Sequence, residues 1–141
     1  MSLLVAVLGT TYTQAGRVSP AALCAAIGVG ALACAILVAN NLRDIPTDTL
    51  AGKRTLAVRL GEARTRAFFA ALIAVAWLAV IPILWGHAWA ALAFLALPLA
   101  IAPLRIVLSS ATGKTLLPVL RATGRLELVY GVLLGLGLAL S

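Results

Sequence analysis

Residues 40–61 read NNLRDIPTDTLAGKRTLAVRLG, a polar island in a chain that is otherwise close to uninterrupted hydrocarbon. Over 141 residues the chain is 63% hydrophobic and 11% charged, with a mean hydropathy of +1.12. Soluble globular domains carry about 25% charged residues, so this composition predicts an integral membrane protein. The net charge of +7 does not point to nucleic acid, because that needs clustered bases on a water-exposed fold. A polar stretch of this kind inside such a chain marks a membrane-embedded site.

A spanning helix needs ~20 mainly apolar residues, and residues 21–42, 67–85 and 88–104 meet or approach that length. Ser19 and Pro20 give the first an N-cap and a proline at the first helical position, where a missing N–H costs little. Residues 3–15 and 126–140 form shorter apolar stretches at the chain ends, each about 20 Å long as a helix. The expectation is therefore an all-α, polytopic transmembrane bundle of about five helices, forming a single domain over residues 1–141. No removable signal peptide is expected at its start. Glycines and prolines within the spans, among them Gly28, Pro82, Pro98, Gly131 and Gly135, predict close packing and kinks. The Gly131/Gly135 spacing fits a small-xxx-small contact. Cys24 and Cys34 lie about 15 Å apart on one helix and cannot bridge.

With five spans, Arg43, Lys53, Arg54, Arg59, Arg64, Arg66, Arg105, Lys114, Arg121 and Arg125 fall on one side of the membrane, and of the arginines and lysines only Arg17 falls on the other. The positive-inside rule makes the first side cytoplasmic, and all four acids share it. His87, between Trp85 and Trp89, is expected at the external interface. Tyr12 and Gln14 either line a cavity or meet that interface.

Asp44 and Asp48 are four residues apart and would share a helix face, converging on one hard cation. Pro46 between them is expected to end or kink the helix, so that a turn brings them together instead. Carboxylate oxygens with no nearby Cys or His suit magnesium rather than zinc. Lys53 and Arg54, beyond Gly52, and Arg59 would help neutralise a diphosphate, and a bridging cation would stabilise its departure. The competing view is that these charges only set topology and touch lipid headgroups. It accounts for the bases but less well for the acids, which contribute little to orientation and are expensive within the bilayer. ATGKT at residues 111–115 is not a P-loop, since Leu108 stands where a glycine is required and no strand precedes it.

The segment NNLRDIPTDTLAGKRTLAVRLG resembles the second aspartate-rich motif of the UbiA-type intramembrane prenyltransferases, in particular those that prenylate 1,4-dihydroxy-2-naphthoate. GTTYTQAG at residues 9–16 and TGRLELVYG at residues 123–131 are similar to the same family. The resemblance implies nine helices with two such motifs facing across a cavity, of which this chain would hold the last five helices and the second motif. Asp occurs only at positions 44 and 48, so no further DxxxD pair is present. It also implies Mg2+ held by Asp44 and Asp48, and a polyprenyl diphosphate held with the help of Asn40, Asn41, Arg43 and Lys53. The implied activity is prenyl transfer to 1,4-dihydroxy-2-naphthoate in menaquinone synthesis, within a multi-pass protein of the plasma membrane, alongside a missing N-terminal half. The alternative is a noncatalytic membrane remnant that binds isoprenoid lipid or a partner enzyme.

Overall fold

Ser19 and Pro20 open the first helix as expected. In the computed structural model, which describes residues 19–141, helix α1 runs Pro20–Leu50 and the Ser19 hydroxyl accepts the Ala22 N–H at 3.1 Å. Its 31 residues reach about 46 Å, well past a hydrocarbon core of ~30 Å. Two expectations are thereby corrected: the helix does not stop near Leu42, and Pro46 does not end it. Proline removes only the bond to the Leu42 carbonyl, while the Thr47 and Thr49 hydroxyls reach back to the carbonyls of Asp44 and Ile45 at 2.9 and 2.7 Å.

The true stop lies at Gly52, whose φ of 67° is open to glycine and strained for other residues. Gly52 N–H bonds the Thr49 carbonyl at 3.1 Å and Lys53 N–H bonds that of Asp48 at 2.9 Å, which is a Schellman cap. Helix α2, Leu56–Leu78, is capped by Thr55 and broken at Gly61 (φ 77°, ψ 167°), so a second helical stretch begins at Glu62. The expected span 67–85 is completed by a 3₁₀ turn, Ile81–Trp85.

The third span is a 3₁₀ helix, Ala88–Ala96, running directly into helix α3, Leu97–Leu108. In a 3₁₀ helix residues three apart eclipse, so buried Ala90, Ala93 and Ala96 form a straight, shallow ridge. Against that ridge lies helix α4, Leu117–Ala139, entered through a 3₁₀ turn, Gly113–Leu116. A side chain at Gly137 would strike the Trp89 backbone, so glycine sets this close approach. The last span is thus longer than the expected 126–140. Arg121 and Arg125 interrupt its hydropathy yet point outward, while Val119, Thr123, Leu126, Tyr130 and Leu134 continue one buried face through them.

Four spans, in all-helical form, are long and apolar enough to cross a membrane among the described residues. The expected segment 3–15, with Tyr12 and Gln14, lies outside them. α1 packs on α2 and α4, and α4 on α3, around a core that includes Leu32, Phe69, Val107, Leu126 and Tyr130. Trp77 stacks on Phe94 and meets Tyr130 edge-on, joining three elements. Large apolar side chains, Leu37, Leu78, Leu95 and Leu128 among them, remain exposed on the outside, as a hydrocarbon solvent requires. Gly28 and Gly137 make the close crossings, whereas Gly131 and Gly135 meet nothing within 4 Å in the described chain. Both cysteines are free thiols.

Candidate functional site

Because α1 continues through Pro46, its polar residues fall into register. At about 100° per residue, Asn40, Asp44, Asp48 and Asn41 lie within an arc of about 100°, roughly opposite the buried line of Ala31, Ala35, Ala39 and Leu42. The two carboxylates are therefore set on one face by a helix, not by the turn that Pro46 led one to expect. Asn41 sits at the edge of this stripe nearest α2, where it lines a cranny of about 10 Å3 with Leu60, Thr65 and Phe68. Asn40 is half-buried.

Each acid has its own base. Arg43 donates to both oxygens of Asp44, from Nε at 2.7 Å and Nη2 at 2.8 Å, a fork geometry that favours the paired state. Asp48 is 9% exposed, and the Schellman turn carries Lys53 back over it, with Nζ 3.6 Å from Oδ1. Arg54 is exposed and makes no ion pair with either acid. Arg59 is likewise exposed, so the mouth of the site keeps a positive surplus after both acids are paired.

The donor set consists of carboxylate and amide oxygens, which suits a hard divalent cation better than a soft one. Among the described residues no third His, Cys, Asp or Glu joins the pair. Asp44 and Asp48 would be the residues to hold such a cation, which would bring positive charge to this face of the helix.

Arg66 was not foreseen as anything beyond a topogenic charge. Its guanidinium donates to the carbonyls of Val107, Ser109 (2.6 Å) and Ala111 (2.7 Å) and pairs with Glu62 at 3.2 Å. It closes the end of α3 and ties the α3–α4 connection to the start of α2, and the Gly113–Leu116 turn in turn packs on α1. The only sequence hint is the Glu62/Arg66 spacing of a helical ion pair. Since both basic connections meet at Arg66, the bases of residues 53–66 and 105–114 share one end of the bundle. At the opposite end Trp85 and Trp89 are exposed around His87.

Residues 2–116 match the UbiA prenyltransferase family. A 1,4-dihydroxy-2-naphthoate octaprenyltransferase of Mycobacterium tuberculosis is 50% identical over 91% of this chain and 44% of its own length. The proteins of the same name in Mycobacterium leprae and Escherichia coli are 46% and 38% identical, over 98% and 96% of this chain and 47% and 45% of their own lengths. The chain thus spans less than half the length of these relatives. No solved structure matches it.

Proposed function

Because the chain belongs to the UbiA prenyltransferase family, we propose that it forms one half of a multi-pass membrane enzyme. That enzyme moves a polyprenyl group from its diphosphate to 1,4-dihydroxy-2-naphthoate in menaquinone synthesis, and residues 1–141 are its C-terminal transmembrane domain. The observation that carries this reading is the polar stripe of Asn40, Asp44 and Asp48 on one face of a continuous helix, with Asp44 part-buried and Asp48 buried beneath Lys53. A second wall from an N-terminal half would close that stripe into a cavity.

In this reading Asp44 and Asp48 hold Mg2+, and Asn40, Asn41, Arg43, Lys53 and Arg54 receive the diphosphate. The metal, when bound, supplies positive charge that stabilises the departing diphosphate. Arg43 and Lys53 balance the acids before ligand arrives and are placed to turn to an anion when it does. The C–O bond to diphosphate breaks to give an allylic cation, the electron-rich ring attacks it to form the new C–C bond, and the ring carboxylate leaves as carbon dioxide, its bonding pair restoring the aromatic ring. The apolar helices accommodate the prenyl tail and keep water from the allylic cation. The basic connections at the acid-bearing end support an orientation with that end in the cytoplasm of a plasma-membrane protein. Cysteine labelling from outside the cell should reach a substituted His87 and not a substituted Lys114.

The test is to express the chain with the complementary part of a relative and assay prenyl transfer to the naphthoate. Transfer should require magnesium and fall at least 100-fold in Asp44→Asn and in Asp48→Asn. Unchanged transfer in both variants would discard the reading. A second reading, noncatalytic binding of isoprenoid lipid, draws on the chain's spanning less than half of its relatives. Saturable, magnesium-dependent binding of a prenyl diphosphate, with no turnover beside the complementary part, would favour it.

A further inference from the structure

Glu127 stands apart from the acid-bearing stripe. It lies ten residues beyond the start of α4 at Leu117, about 15 Å along the axis and within the membrane-level part of the bundle. Tyr130, one turn further on, meets α1 at Gly28. Counting back along both helices from that crossing places Glu127 about 20 Å from Asp44 along the bundle axis, beyond contact with a ligand held there.

With Gly124, Leu128, Gly131 and Val132, Glu127 lines an open groove of about 510 Å3 on the outer side of α4. Nothing in the described chain occupies the space where side chains at Gly124 and Gly131 would stand, so a helix backbone can approach closely there. Leu128 and Val132 are 68% and 53% exposed. Among the described residues no hydrogen bond or ion pair reaches the Glu127 carboxylate.

Lipid tails give a carboxylate nothing to bond to, and at this depth that is expensive. A second copy docked face to face would set Glu127 against Glu127, like charges in a medium that screens them poorly. A helix bearing a donor satisfies both the acid and the glycine floor. More than half of each relative's length lies beyond the part that this chain matches. We propose that the groove seats a transmembrane helix of the complementary half, one that presents a cationic or hydrogen-bond-donating side chain to Glu127. This rests on the reading of the chain as half of a prenyltransferase.

The full chain is expressed in bacterial membranes with a tagged second chain, the part of the Mycobacterium tuberculosis relative outside the matched region. The two should co-purify, and a photocrosslinking residue at Leu128 should join them while one at Leu95, exposed on the Ala88–Ala96 segment, should not. Gly131→Leu, at a position where an added Cβ meets nothing within 4 Å among the described residues, should cut recovery of the pair at least 10-fold, as should Glu127→Lys where the partner side chain is cationic. Crosslinks from Leu128 only to lipid or to a second copy, undiminished recovery with Gly131→Leu, or no co-purification at all would each overturn the proposal. Prenyl transfer is read separately. A pair that forms through the groove but transfers nothing defeats the functional reading alone, and transfer undiminished by Gly131→Leu defeats the docking alone.

Discussion

Among the described residues Tyr130 is the largest side chain with no solvent exposure, and its hydroxyl donates to the Ala76 carbonyl at 2.7 Å. That carbonyl is free because the Val80 N–H turns to Trp77 as α2 gives way to the 3₁₀ turn. The hydroxyl passes over Gly28, where any Cβ would collide with it. Gly28→Ala should therefore destabilise the protein by about 1–3 kcal/mol, as overpacking does. Tyr130→Phe, which leaves a buried carbonyl unpaired, should cost a further ~1–2 kcal/mol on its own. Removing the hydroxyl also removes the clash, so the double variant should fall short of the sum by about 1 kcal/mol. Thermal unfolding in detergent of the four proteins tests this, and strict additivity would show that the contact is not the cause. From sequence, Gly28 was legible only as a small residue in a span. Its partner lies on another helix, and nothing in either local pattern links the two.

At the scale of the element, α1 shows where a local rule was overridden. A proline at position 46 normally marks a helix boundary, and in an interior it is worth about 3 kcal/mol against alanine. Here the helix runs on to a glycine cap, with two threonine hydroxyls supporting the adjacent carbonyls. Pro46→Ala should accordingly keep the helix and raise stability, by up to ~3 kcal/mol. The measurement is the melting temperature, together with hydrogen exchange over residues 42–50. A fall in stability would mean that the proline is needed for the geometry of the acid-bearing turn. The acids themselves were legible from sequence as a pair in DxxxD. That they share a helix face with Asn40 depended on the helix surviving Pro46, which propensity alone argued against.

For the molecule as a whole, Arg66 joins α2 to the end of α3 and to the α3–α4 connection. It binds three carbonyls at the end of α3 and beyond it, and its side chain is 12% exposed. Arg66→Ala would leave those carbonyls unpaired, a loss of about 2–4 kcal/mol at roughly 1 kcal/mol each. Arg66→Lys should recover less than half, because an ammonium cannot fork to several planar acceptors as a guanidinium does. Melting temperatures rank the three proteins, and protease cleavage over residues 109–114 should rise in the same order as stability falls. Equal behaviour of the Lys and Ala variants with the parent would show that the connection is held by packing alone.

Composition alone determined that this chain belongs in a membrane, since an exterior of leucine, valine and alanine is stable only in hydrocarbon. Local pattern was enough to place the acid pair and its neighbouring bases at one end of the bundle, because hydropathy and charge are summed along the chain. Span boundaries were less legible: α4 extends through Arg121 and Arg125 because those side chains point outward, a distinction that a running average of hydropathy erases. What only the tertiary structure decided were the contacts between segments far apart in sequence. These are Tyr130 over Gly28, the alanine ridge against Gly137, Lys53 folded onto Asp48 by the cap at Gly52, and Arg66 closing the end of α3. Each depends on a distance between surfaces that exists only once the helices have packed.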